Sequence, residues 1–204
     1  MSGRMVAVIG TAGRDKTRPM NARLWAAMLE DLRGRVLPQD TLVSGGAALA
    51  DHLAVAAYLR GWVTGLQLFL PAPFDNAAAT PAFVATGGGR SSGGAANYYH
   101  GLFRSATGVD GLAEIAQAVA AGAAVHAQPA TPGFGGMFAR NRLVAQAVGH
   151  AIAYTWGVAE PEDGGTRDTW LKMAHAVREH VSLLELAKMG EQAHPTEPRP
   201  RPRG

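Results

Sequence analysis

The chain has 204 residues, 47% of them hydrophobic, with 26 glycines and no cysteine. That is enough for one well-filled α/β core and too little for two ordinary domains, and disulfides, thiolate metal sites and cysteine nucleophiles are excluded. The formal charge is +3; Arg199, Arg201 and Arg203 outweigh Glu191 and Glu197 at the end of the chain, so the body lacks the strong basic footprint of a nucleic-acid binder. No apolar stretch is long enough to span a membrane and no leader pattern opens the sequence, so a soluble, cytoplasmic protein without a membrane partner is expected.

Residues 5–9 form a continuous apolar run, the pattern of a central parallel strand buried on both faces. It ends in Gly10-Thr11-Ala12-Gly13-Arg14. Pro19 stands where a helix can begin. Leu24, Ala27, Met28 and Leu32 give that helix an apolar face, and Gly34 ends it. Residues 42–44 are a second strand, cut off at Gly45-Gly46. Ala50, Leu53, Ala54 and Ala57 then carry helical spacing from about Ala47 to Arg60-Gly61. Glycine lets the backbone turn sharply and approach a ligand closely. The unpaired first amides of the next helix, at the positive end of its dipole, suit an anion.

Residues 66–70 are the third strand, stopped by Pro71-Ala72-Pro73. Residues 72–107 are the least regular part. Gly87-Gly88-Gly89, Ser91-Ser92 and Gly93-Gly94 predict a flexible segment, either a lid or disordered, with at most a short helix near 95–104. A helix over 112–121 ends at Gly122, residues 123–127 read as the fourth strand, and 131–136 is another glycine turn. A helix over 139–148 opens with Arg140-Asn141-Arg142, and 151–156 is the fifth strand. Gly164-Gly165-Thr166 opens a last long helix to about Met189. Residues 190–204, with alternating proline and arginine, are expected to be disordered.

Strands alternating with helices predict an α/β, Rossmann-like three-layer fold over residues 1–189, with a mostly parallel sheet and helices on both faces. Right-handed crossovers put the turns at Gly10, Ser44, Gly133 and Gly164 along the carboxyl edge, where open sheets bind ligands.

The segments 10–14, Leu42-Val43-Ser44-Gly45-Gly46-Ala47 with Ala50-Asp51, Arg140-Asn141 and Gly164-Gly165-Thr166 resemble the SLOG superfamily over about residues 5–185. This Rossmann-like group includes the DNA-processing protein DprA, the lonely-guy phosphoribohydrolases and nucleotide-ligand sensors. The resemblance implies a nucleotide or ADP-ribose-like ligand held by Gly10, Thr11, Gly13, Arg14, Ser44, Gly45, Gly46, Ala47, Asp51, Arg140, Asn141, Gly164, Gly165 and Thr166. Backbone amides of Gly45, Gly46, Ala47, Gly164, Gly165 and Thr166 would line it. It requires no cofactor and admits a homo-oligomer.

Two other functions are compatible with the resemblance. One is cleavage of a nucleotide N-glycosidic bond, with Asp168, Asp51 or His126 as the acid–base group; residues 163–170 lack the second glycine group and the glutamate of the lonely-guy motif. The other is single-stranded DNA binding of the DprA kind, suggested by the basic end and the Arg14–Arg23 cluster and disfavoured by the small net charge.

The residues also have plainer explanations. Asp51 and Asp168 suit any helix N-terminus, and Asn141 and Thr166 suit caps. Arg14 and Lys16 fit either a solvated loop or bidentate phosphate contact. Trp156 and Trp170 can stack on a base or simply be buried. His52 and His126 can move protons or occupy ordinary positions. The seven histidines show no ligand spacing, so no metal is expected.

Overall fold

The computed structural model describes residues 3–18, 20–87, 90–162 and 164–193. Pro19, Gly88, Gly89 and the expected disordered end beyond residue 193 lie outside the described residues. The first half of the chain runs β1 (Met5–Gly10), α1 (Ala22–Arg33), β2 (Thr41–Ser44), α2 (His52–Leu59), β3 (Gly65–Leu70), β4 (Phe74–Asp75), β5 (Ala82–Phe83) and α3 (Ser92–Thr107). The second half runs α4 (Gly111–Ala120), β6 (Ala124–Ala127), α5 (Gly135–Gln146), β7 (His150–Thr155), α6 (Gly164–Lys172), β8 (Val177–Ser182) and α7 (Leu183–Ala193).

Six strands form one sheet in the order β6-β3-β2-β1-β7-β8, with every pairing parallel. The chain builds outward from β1 through β2 and β3 to β6, then crosses back to place β7 on the other side of β1. The reversal of strand order therefore lies between the carboxyl ends of β1 and β7, where such sheets open a crevice. The apolar run of β1 is explained by its two covered faces. Val6 and Val8 join the core with Leu24, Met28, Leu42 and Leu53, while Ala7 and Ile9 face Val144, Val148, Trp170 and Met173.

Four expectations are corrected. The helix after Gly45-Gly46 starts at His52, not at Ala47. A loop intervenes, with Gly46 at φ 65° and Leu49 at φ 60°, so the second glycine turn does not sit on a helix N-terminus. Most of the irregular part is α3, of 16 residues. Ser91 caps it by accepting from the Gly94 amide at 3.2 Å, and a side chain at Gly93 would collide with the Val84 carbonyl. Helix α5 starts at Gly135, which puts Arg140 and Asn141 in its second turn. The last long helix is two helices separated by β8, whose six residues pair with β7; α7 continues to Ala193, past residue 189.

Candidate functional site

A cleft of about 500 Å³ opens over the carboxyl ends of β1, β2 and β7. Gly10, Thr11 and Arg14 line it from the β1 turn, Gly45, Gly46, Ala47 and Asp51 from the β2 turn. Thr155, Trp156 and Gly157 follow β7, Arg140 and Asn141 come from α5, and Gly164, Gly165 and Thr166 from the start of α6. Three of the four glycine turns thus share one cavity. Gly133 does not line it; its amide donates to the Arg90 carbonyl at 2.9 Å. Nor do Gly13, Ser44 and Lys16 reach the wall.

Asp51 ties the site together. Its carboxylate accepts from the Gly10 amide at 3.2 Å and from Arg140 Nη1 at 3.2 Å. The two side chains are 7% and 13% exposed. Burial pushes the Asp51 carboxyl up, against the opposing pull of the Arg140 charge and of the Gly10 and Ala47 amides. Gly45 leaves room for this pair, because a Cβ there would overlap the Arg140 guanidinium as it is seated. Ser44 Oγ donates to the Asp51 carbonyl at 2.8 Å and accepts from the Gly46 amide at 3.1 Å. Thr166 Oγ1 donates to the Gly10 carbonyl at 2.7 Å and locks α6 onto the β1 turn.

These bonds redistribute the expected donors. The amides of Gly10 and Ala47 serve Asp51, that of Gly46 serves Ser44, that of Thr11 serves the Tyr154 carbonyl, and that of Gly13 serves Thr11 Oγ1. The amides of Gly46 and Ala47, expected to face a ligand, are thus engaged within the protein. The amides at the start of α6 are those a helix leaves without intrahelical partners. Together with the Arg140 guanidinium they form the positive side of the cleft.

Of the three candidate acid–base residues, the structure brings only Asp51 to the cleft. Asp168 is not on its wall: it pairs with Lys172 and accepts from Asn141 Nδ2 at 3.3 Å, and the Lys172 bond holds its carboxyl below the usual range. His126 lies on edge strand β6, stacked on Phe69 at 4.7 Å. Asn141 also donates to the Gly165 carbonyl at 3.4 Å, so it joins α5 to α6 rather than capping a helix. His52 is buried against Glu114 Oε2 at 2.8 Å, away from the wall. Trp156 lines the cleft and Trp170 is buried in the core.

The sequence reading missed Asp15, Glu162, Tyr99 and Met137 and took Arg18 only as part of the Arg14–Arg23 cluster; all five are on the wall. Tyr99 belongs to the helix hidden in the glycine-rich stretch. Glu162 stands two residues before Gly164, a proximity visible in the sequence. With them the cleft carries Arg14, Arg18 and Arg140 against Asp15, Asp51 and Glu162. Arg18 approaches Asp15 at 3.7 Å, and Arg14 lies 4.7 Å over the Tyr99 ring. The lining charges balance. Among the described residues no group of three or more His, Asp or Glu could hold a metal, and no helix is long and apolar enough to cross a membrane.

The site and sheet define an open, parallel Rossmann-like protein with its crevice at the strand-order reversal. The same fold is found in DNA processing protein A (DprA) of Streptococcus pneumoniae, with a TM-score of 0.50 and 16% identity over 94% of this chain and 55% of that one. The chain thus spans about half of that DprA. The DprA of Helicobacter pylori aligns with 94% of this chain and 80% of its own at a TM-score of 0.39 and 16% identity. In sequence, the chain is 29% identical over 190 residues to uncharacterized protein R261 of Acanthamoeba polyphaga mimivirus, covering 87% of this chain and 95% of that protein. No family model matches it.

Proposed function

We propose that this cleft binds a nucleotide or nucleotide-derived phosphate ligand, ADP-ribose among them. The observation that carries the reading is the Arg140 guanidinium, seated by Asp51 in the space Gly45 leaves, on the same cavity wall as the first turn of α6. Asp51 takes Nη1, Arg140 Nε is buried without a partner, and Nη2 makes no hydrogen bond among the described residues. A guanidinium with donors to spare and a helix N-terminus are complementary to a phosphate in geometry and in charge. The cavity volume falls within the range of about 300–1,000 Å³ common for small-ligand sites.

The balanced lining favours a small ligand over a nucleic-acid strand. A strand requires a run of uncompensated cations to displace its counterions, and here three lining arginines are offset by three lining carboxylates.

Calorimetric titration with AMP, ADP-ribose and NAD tests the proposal. Binding of at least one is expected, and Arg140→Ala should weaken it about 10- to 150-fold, the size of one charged hydrogen-bonding partner. Absence of heat and of thermal stabilisation with all three would refute it.

A further inference from the structure

A second cavity of about 290 Å³ adjoins the cleft and shares Arg14, Tyr99, Met137, Arg140, Asn141 and Gly165 with it. Its remaining lining is Ala95 of α3 with Phe134 and Phe138 at the start of α5. The character of the two compartments differs. The cleft holds the ion pairs and the start of α6. The annex holds aromatic and thioether side chains, and its only charges are the two shared arginines.

Phe138 follows Phe134 by four residues, so the two rings share one side of the helix start. They are 63% and 49% exposed. Exposed aromatic rings at the lip of a cavity gain by being covered by another flat ring. Arg14 marks the boundary: its guanidinium lies 4.7 Å over Tyr99, within reach of both compartments. On the wall of the cleft but outside the annex, Trp156 already carries the Arg18 guanidinium 5.8 Å from its ring.

We infer that the annex between α3 and α5 is the base subsite, receiving the planar aromatic group of a ligand whose phosphate lies at Arg140. The inference rests on the phosphate reading above and adds where the base goes and what recognises it. Tyr99, Phe134 and Phe138 read a π-face rather than a hydrogen-bonding edge, so the subsite accepts any nucleobase and rejects a bare sugar phosphate.

The test compares AMP, UMP and ribose 5-phosphate by calorimetry on the wild type, on the double variant Phe134→Ala/Phe138→Ala and on Trp156→Ala. Both phenylalanines lie outside the core, so the double variant keeps the fold, which its melting temperature verifies. The readout is the ratio of the ribose 5-phosphate and AMP dissociation constants. In the wild type it should be about 5 to 150, the contribution of one base stacked on an aromatic ring. It should collapse to within about twofold of unity in the double variant and persist in Trp156→Ala. UMP should follow AMP. A wild-type ratio near unity overturns the inference while leaving the phosphate reading intact, as does a ratio that collapses only in Trp156→Ala. Failure of AMP, UMP and ribose 5-phosphate alike to bind overturns the base subsite, and the phosphate reading falls with it when ADP-ribose and NAD fail as well.

Discussion

Gly45→Ala isolates the seat of the cleft guanidinium. The added methyl would overlap Arg140 Nη1 and Cζ and stand 2.8 Å from Asp51 Oδ2. Gly45 does not have a positive φ, so alanine fits the backbone and by itself would stabilise by about 0.4–1 kcal/mol through the unfolded chain. The guanidinium, at the end of a long side chain, swings away; Asp51, 7% exposed, cannot follow. Stripping one partner from a buried ion pair costs about 3–5 kcal/mol. Asp51 keeps the Gly10 amide, and after the backbone gain we expect a net loss of about 2–4 kcal/mol. For a chain of this length that lowers Tm by about 4–16 °C.

The pH dependence follows from Asp51, whose folded pKa is already raised by burial and rises further without Arg140. A carboxyl that holds its proton more tightly folded than unfolded penalises the fold most above its folded pKa. The deficit of the variant therefore shrinks as pH falls through that value toward the unfolded one, about 3.9. Thermal melts at about pH 8 and about pH 4, well above and close to the unfolded carboxyl value, read this directly, and calorimetry reads the accompanying loss of AMP binding. A Gly45→Ala protein with wild-type melting at both pH values and wild-type AMP affinity would refute the argument.

Two further outcomes concern the support of the site. His100 is 2% exposed and its Nε2 donates to the Gly46 carbonyl at 3.1 Å; burial, with the nearby His52, pushes its pKa down to about 3. Because the unfolded chain binds this proton near pH 6.5 and the folded one does not, stability is full above about 6.5 and lost as pH falls toward 3, by up to about 1.4 kcal/mol per pH unit; urea midpoints across that window should flatten in His100→Gln. Ser91 Oγ accepts from the Gly94 and Thr86 amides at 3.2 and 3.1 Å, so Ser91→Ala should cost about 1–2 kcal/mol and speed amide exchange in the first turn of α3, both measurable by denaturation and hydrogen exchange.

The central strands are legible in the sequence because both their faces are covered, which turns β1 into an unbroken apolar run and leaves β3 interrupted only by Gln67, between glycine or proline stops. The sheet edge is harder to read. Strand β8 carries Arg178, Glu179 and His180 on a partly open margin, and its polar residues resemble the solvent side of a helix. Helix α3 is masked by Gly93, Gly94 and Gly101: the first is required by the approach of the Val84 carbonyl, a backbone contact that composition does not reveal. The turns that line the cleft are readable from their glycines. What occupies their amides is not, because the Asp51 carboxylate comes from beyond the loop and Tyr154 from the far half of the chain. Arg140 stands out as a phosphate candidate by residue type, but the carboxylate that orients it is 89 positions away. His126 and Asp168 are attractive as titratable groups near strand ends; the strand order leaves one on the margin, and Lys172 neutralises the other.

The contacts that join the cleft walls bridge long stretches of chain: 41 residues from Gly10 to Asp51, 89 from Asp51 to Arg140 and 156 from Gly10 to Thr166. Synthesis from the amino end delivers β1, β2 and β3 early, yet no guanidinium wall exists until α5 emerges and no helix-start donors until α6 packs. A ligand bound as proposed would therefore stabilise only chains in which α5 and α6 have already packed.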